Sequence, residues 1–211
     1  ALDAADGSDS SFWWNNRDGD FDELRGLSYD KMTGQLFFGC FGDATVGAVS
    51  TEQVNGVGKL SLSLLSSTHN EAICVDAANR HVFYGSRDAA GPIYRYNIES
   101  GEHDVWLAGH RFSGCAVDAD AGHLYFSTYS DGEVYRARLA TPETNLTRLA
   151  TLDGDARGLA HDRGAGYLYV AESANGAVWR VDASTGESAS LVNDEHTVFV
   201  LNALHVDLAI L

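Results

Sequence analysis

The sequence predicts an all-β protein, a β-propeller whose blades are four-stranded antiparallel sheets. Two observations carry this prediction. A five-residue motif recurs along the 211-residue chain at near-constant spacing, and each of its first four copies is followed by three more short apolar runs separated by Gly, Asp, Asn and Ser turns. Four-stranded units that repeat every roughly 40 to 50 residues are typical of propeller blades.

The repeated motif ends in aspartate in every copy. It reads GLSYD from residue 26, AICVD from 72, GCAVD from 114, GLAHD from 158 and ALHVD from 203, so the copies lie 46, 42, 44 and 45 residues apart. As the most apolar run of its unit, it is predicted to form the inner strand beside the central channel. We expect the recurring aspartates to accept hydrogen bonds from the following turn or the neighbouring blade. They are Asp30, Asp76, Asp118, Asp162 and Asp207.

Three further runs complete each of the first four units. The second runs begin at Leu36, Val82, Leu124 and Leu168, the third at Val46, Ile93, Val134 and Val178, and the fourth occupy 60–65, 105–109, 146–152 and 188–192. Runs such as IYRYN and VYRAR alternate with period two, and no segment keeps a helical spacing of apolar residues, so strands are favoured. The third runs carry Arg95, Arg136 and Arg180 at matching positions, for which we predict inter-blade ion pairs with the motif aspartates.

The fourth unit, with GLAHD followed by YLYVAES and AVWRVDASTGE, resembles the blade repeat of a six-bladed propeller superfamily. That superfamily includes the YWTD, NHL, gluconolactonase and strictosidine-synthase-like propellers. The resemblance covers about residues 24–211, although FFGC, FYGS, YFST and YVAE stand where the YWTD tetrad would be. It implies six blades, so four complete repeats plus part of a fifth predict an incomplete propeller, with a closed five-bladed ring as the alternative.

The two ends of the chain have separate predictions. Residues 1–10 have the composition of a flexible acidic tail, and residues 11–211 form the predicted propeller, with blades starting near 26, 72, 114, 158 and 203. Residues 11–16, SFWWNN, are a candidate closing strand, because propellers commonly let one terminus complete the blade that the other begins. We expect the last blade to be missing or to be supplied by another chain.

The charge of the chain bears on its partners. The formal net charge is −16, with two lysines against twenty aspartates. Binding to a nucleic-acid backbone needs clustered Lys and Arg, which do not occur, so no nucleic-acid partner is expected. No stretch approaches the roughly 18 apolar residues of a membrane span, so none is predicted.

The three cysteines and one sequon bear on cellular location. The cysteines are Cys40, Cys74 and Cys115. No two of them have CxxC spacing, which excludes a zinc ligand set, and their odd number excludes a disulfide framework. Cys74 and Cys115 lie in apolar runs and are expected to be buried free thiols, with a bridge between them as the alternative if their strands are neighbours. Asn145 begins an Asn-Leu-Thr sequon, so it is a candidate glycosylation site of an extracellular or secreted protein.

The candidate binding site lies where the units differ from one another. In a propeller, the residue before each inner strand and the loop after the second strand surround the mouth of the central channel. A mixed-charge rim of this kind is typical of a surface that binds a peptide or a protein. The rim candidates are Arg25, Glu71, Arg87, Ser113, Tyr129, Arg157, Glu172 and Asn202.

The resemblance also implies an enzymatic alternative. In the gluconolactonase-like enzymes, a Glu, an Asn and an Asp at such positions hold one divalent cation, so Glu71, Glu172 and Asn202 are the candidate ligands. Three rim arginines would oppose a cation there. The turn DGDFDE offers Asp18, Asp20 and Asp22 as a calcium candidate, without the downstream Gly and bidentate Glu of an EF-hand loop.

The functional prediction follows from these alternatives. The chain contains no HExxH, GxSxG, Walker or GxGxxG motif that would identify a catalytic site. We therefore predict a secreted or surface-exposed propeller that acts as an interaction or structural module, binds a protein partner or joins an assembly, and needs no cofactor. The alternative is a divalent-metal-dependent enzyme of the lactonase, esterase or strictosidine-synthase kind.

Overall fold

The computed structural model describes residues 24–42, 45–54, 57–65, 70–86 and 91–193, and the regular elements in them are β-strands. The strands form four antiparallel sheets, each built from four consecutive strands. These sheets are the blades of a β-propeller, which confirms the predicted fold class. The six blades implied by the resemblance are not found, because the described residues form four. In this part of the chain no helix meets the length and apolarity needed to cross a membrane.

The strand bounds follow the predicted runs closely. Blade 1 contains β1 (Leu24–Asp30), β2 (Gln35–Cys40), β3 (Thr45–Val54) and β4 (Val57–Leu65). Blade 2 contains β5 (Ala72–Asp76), β6 (His81–Gly85), β7 (Ile93–Asn97) and β8 (His103–Leu107). Blade 3 contains β9 (Phe112–Asp118), β10 (His123–Thr128), β11 (Glu133–Arg138) and β12 (Leu146–Thr151). Blade 4 contains β13 (Ala156–Asp162), β14 (Tyr167–Glu172), β15 (Ala177–Asp182) and β16 (Ser188–Asn193).

The inner strands β1, β5, β9 and β13 line the channel, as the motif predicted. Alternate motif positions face opposite neighbours, because side chains alternate along a strand. The first and third positions face the following blade, and the second and fourth face the preceding one. Gly26 shows why the first position is small: a Cβ there would lie 2.8 Å from Cγ2 of Ile73. The third-position Ser28 accepts a 3.1 Å hydrogen bond from the backbone N–H of Val75.

The hydrophobic cores lie between the blades. Between blades 1 and 2, Phe37 and Val46 pack with Tyr84, and between blades 2 and 3, Phe83 and Phe126 belong to one buried cluster. A third cluster joins blades 3 and 4. The face of blade 1 that points away from blade 2 is different, since its Leu27 and Tyr29 are 63% and 55% exposed.

The motif aspartates of the four described blades have the structural role that was predicted. Asp30 accepts hydrogen bonds from the backbone N–H of Met32 at 2.9 Å and from Arg80 of the next blade at 2.6 Å. Arg80 has a φ of 58° at the turn position where the other three described blades have glycine. Because a left-handed conformation costs a non-glycine residue about 1 to 2 kcal/mol, the ion pair with Asp30 offsets a local penalty.

The predicted partners of the third-strand arginines were wrong. Arg95 pairs with Asp104 of its own blade, 2.6 Å away, because Asp104 lies directly opposite on β8. Arg136 donates to the backbone carbonyl of Ala183 in blade 4, and Arg180 lies over the ring of Tyr167.

The expectation that Cys74 and Cys115 are free thiols was also wrong. They form a disulfide that joins β5 to β9, with their Cα atoms 6.0 Å apart. The physical reason is the alternation along the inner strands: Cys74 occupies a third motif position and Cys115 a second, so the two side chains face each other across the blade interface. Cys40 is buried and takes no part in this disulfide.

Several predictions lie outside the described residues. These are the tail at 1–10, the closing strand at 11–16 and the fifth motif at 203–207 with its Asp207. The candidate residues Asp18, Asp20, Asp22, Arg87 and Asn202 also lie there.

Candidate functional site at the channel mouth

The central channel is an open cavity of about 320 Å³ lined by the four inner strands. Its mouth is at the end where these strands begin, and Arg25, Glu71 and Ser113 are part of the lining there. Three of the four described blades therefore contribute one predicted rim residue each to the lining.

Glu71 is the centre of the rim. It is only 7% exposed, and its Oε1 atom lies 3.2 Å from Nη1 of Arg157 and 3.6 Å from Nη1 of Arg25. The three residues come from blades 2, 4 and 1, so one carboxylate connects three blades. Charges taken out of water are costly unless they are paired, and here two guanidinium groups surround the carboxylate.

Arg157 connects the same cluster to blade 3. Its Nε donates a 2.9 Å hydrogen bond to the Ser173 hydroxyl, and its guanidinium lies 4.8 Å from the centroid of the Tyr129 ring. Cation–π contacts of this kind add to the ion pair. Arg25 makes a similar contact, 5.0 Å from the Phe41 ring centroid. The structure thus brings Arg25, Glu71, Tyr129 and Arg157 together.

Two buried polar side chains near the starts of inner strands lack hydrogen-bond partners. Asn70, which is fully buried, precedes Glu71, and neither polar atom of its amide has a hydrogen-bond partner. The hydroxyl of Ser113, which lines the channel, is buried and also lacks a hydrogen bond. Buried polar groups are normally paired, so these two side chains depart from the usual pattern.

Glu172 does not join the cluster. Its carboxylate is buried and accepts hydrogen bonds from the backbone N–H groups of Ala174 at 2.6 Å and Asn175 at 2.9 Å, and from the Asn175 amide at 2.9 Å. Glu172 therefore holds the turn between β14 and β15. Of the proposed metal ligands, Glu71 is paired with arginines, Glu172 is bonded to its own turn, and Asn202 lies outside the described residues. In the described ranges no three His, Cys, Asp or Glu side chains are grouped to hold a metal ion.

Sequence reasoning missed one titratable residue of the channel, His161. The residue is part of the cavity lining, and its ring, which is buried between blades 3 and 4, lies 4.8 Å from that of Tyr125. Burial lowers the pKa of His161 below its ordinary value, while Asp118 acts in the opposite direction. This residue stands at the fourth motif position, directly before the recurring aspartate. The equivalent residues of the other three described blades are Tyr29, Val75 and Val117. A histidine at this position was therefore the signal in the sequence that could have identified it.

Together the fold and the channel define this protein as a β-propeller with an ionic cluster at the channel mouth. No protein-family model matches the chain, and no curated protein matches it. Among solved structures, a chain in the crystal structure of a nidogen/laminin complex is similar, with a TM-score of 0.69 at 15% sequence identity. The match covers 80% of this chain and 64% of the other, so this chain spans less than two thirds of its neighbour. In all, 1073 chains of solved structures match. So many matches are typical of a common fold and do not indicate one function.

Proposed function

We propose that this protein is a secreted or surface-exposed interaction module that binds a protein partner at the channel mouth. One observation carries the proposal: Glu71 and Arg157 link four blades into one charged rim around an open cavity. Side chains held in place before binding lose little conformational entropy on binding, so such a rim suits recognition of a partner. The proposal requires no cofactor and no nucleic acid.

Two further observations support the proposal. The similar solved chain was crystallised in a nidogen/laminin complex, which is an assembly of proteins. The disulfide between Cys74 and Cys115 supports an extracellular location, because disulfides persist in oxidising compartments and are rare in reducing ones.

A displayed library of random peptides, selected on the purified chain, tests the proposal. The affinity of each selected peptide is then measured on the wild type, on Arg25→Ala and Arg157→Ala, and on Arg138→Ala as a matched control. Arg138 ends β11, whereas Tyr129 lies near the start of that strand, so the control is at the opposite end of the propeller. We expect the mouth variants to weaken binding about tenfold or more, as for residues that dominate an interface, and the control to change it less than about twofold.

The proposal fails if no peptide is selected, or if peptides bind the mouth variants as well as the wild type. Melting curves of all four proteins show that lost binding does not come from unfolding.

The metal-dependent enzyme is the competing proposal, and a calcium titration followed by calorimetry separates the two. Glu71 already faces two arginines, which opposes a cation, so we expect no stoichiometric binding at the mouth. Stoichiometric binding that is lost in both Glu71→Ala and Glu172→Ala would favour the enzyme instead.

A further inference from the structure

The loop between β11 and β12 presents a modification site at the edge of blade 3. Asn145 is exposed and directly precedes β12, and Thr147, the third sequon residue, is exposed within that strand. Among the described strands, β12 pairs only with β11, so it is the outer edge of its sheet. Both sequon side chains that the transfer reaction needs are therefore on an accessible surface.

We propose that Asn145 carries an N-linked glycan, and that the first sugar of this glycan covers the groove between β8 and residues 140–144. The donor is a lipid-linked oligosaccharide pyrophosphate. The bond between the anomeric carbon and the pyrophosphate oxygen breaks, and a bond forms between that carbon and Nδ2 of Asn145. The amide loses one proton, and the lipid pyrophosphate leaves with the electron pair of the broken bond.

The surroundings of Asn145 tolerate this modification. Its Nδ2 atom donates hydrogen bonds to the Thr141 and Thr144 hydroxyls, both at 2.9 Å, and makes a longer one to the Thr141 carbonyl. After glycosylation one N–H remains, which satisfies one of the two hydroxyls. The other hydroxyl is on an exposed residue and is hydrated instead, so the folded loop is retained.

The groove next to these hydroxyls has the chemistry to receive a sugar. Its volume is about 310 Å³, and Thr141 and Thr144 line it together with Val105 and Asp104. Val105 is 55% exposed, an apolar contact for the C–H face of a pyranose, and the neighbouring carboxylate accepts hydrogen bonds from sugar hydroxyls. A glycan on Nδ2 leaves the protein directly beside this surface.

The site lies away from the channel mouth. β11 runs from Glu133, next to the turn that carries Tyr129, to Arg138, next to the loop that carries Asn145. Mouth and glycan are therefore at opposite ends of blade 3, and this inference shares with the proposed function only the secreted or surface-exposed location.

The site is tested on the full chain secreted from eukaryotic cells. Trypsin cleaves after Arg138 and Arg148 and releases residues 139–148, LATPETNLTR, with the sequon intact. We expect this peptide to carry glycan and to contain Asp at position 145 after treatment with a glycosidase that hydrolyses the Asn linkage. Asn145→Gln and Thr147→Ala should abolish the modification, and the conservative Thr147→Ser should retain it. An unmodified 139–148 peptide throughout the secreted wild type overturns the proposal.

The position of the sugar is tested by a second measurement. Enzymatic deglycosylation should lower the melting temperature of the wild type more than that of Val105→Ser, which removes the apolar contact. Equal shifts in the two proteins would show that the first sugar does not contact the groove.

Discussion

The side chain of Arg157 contacts Glu71, Tyr129 and Ser173, which lie on three blades. We predict that Arg157→Leu lowers the free energy of unfolding by about 1 to 3 kcal/mol, because the buried Glu71 carboxylate loses its 3.2 Å ion pair with Arg157. Arg138→Leu, at an exposed position, should change it by no more than about 0.5 kcal/mol. Urea denaturation measures both, and equal effects would contradict the prediction.

Asp30 makes the stability of the protein depend on pH. Burial raises the pKa of Asp30, but hydrogen bonds from Thr33, Arg80 and Met32 outweigh this effect, so the pKa is below its ordinary value. A carboxyl whose pKa is lower in the folded state contributes stability above its unfolded pKa of about 3.9 and loses it as the pH falls through the folded pKa.

The lowered pKa of Asp30 predicts how removal of its charge changes stability with pH. Asp30→Asn should lower the urea midpoint clearly at pH 7, and the difference from the wild type should shrink as the pH falls below about 3.9. Met32 keeps a hydrogen-bond acceptor in the variant, so the effect reports mainly the charge. A difference that stays constant from pH 7 to acid would contradict the assignment.

At the scale of the element, the disulfide between β5 and β9 fixes how blades 2 and 3 lie against each other, and its removal can be measured. Cross-links of this kind contribute about 2 to 4 kcal/mol, and here 41 positions separate the two cysteines. Cys74→Ser with Cys115→Ser should lower the melting temperature, and a reductant should then have no further effect. Cys40→Ser is the matched control and should remain sensitive to the reductant. A wild type that melts identically with and without reductant would argue against the bridge.

The inner strands also depend on small residues at their first motif position. A Cβ at Gly114 would collide with the backbone carbonyl oxygen of Arg157, which cannot move aside as the end of a side chain could. We therefore expect Gly114→Ala to separate β9 from β13 and to destabilise the fold by about 1 to 3 kcal/mol, measured by chemical denaturation. Gly122→Ala is a control of another kind, because its φ of 69° disfavours alanine, while a Cβ there would lie 3.8 Å from Arg138 of the same blade.

Strand positions could be predicted from the sequence, but side-chain partners could not. Period-two alternation and turn residues predicted the bounds of β7 and β11 to within one or two residues of those in the structure. Arg95 was assigned an inter-blade partner because the repeat alone does not give the register of β8, and register decides that Asp104 lies opposite. The repeated motif indicated which residues stand at the starts of the inner strands, whereas the pairing of Glu71 with two arginines depends on how blades 1, 2 and 4 are arranged in space.

At the scale of the whole molecule, residues at equivalent positions in different blades should contribute different amounts to the free energy of unfolding. Ile73 and Leu27 occupy the same motif position, but Ile73 packs against blade 1 whereas Leu27 is exposed. We expect Ile73→Ala to cost about 2 to 4 kcal/mol, as for a buried aliphatic side chain, and Leu27→Ala to cost no more than about 0.5 kcal/mol. Equal costs would show that something covers the outer face of blade 1 in solution.

The location of the cores between blades has a consequence for cooperativity. A blade is a single layer and has no core of its own, so each described interface stabilises two blades at once, as in other repeat proteins where stability is a sum over neighbours. Within the described chain, blades 2 and 3 each share two such interfaces and are also cross-linked. Hydrogen exchange should therefore be slowest in β6 and β10 and faster in blade 1, so unfolding would proceed inward from the periphery of the repeat array.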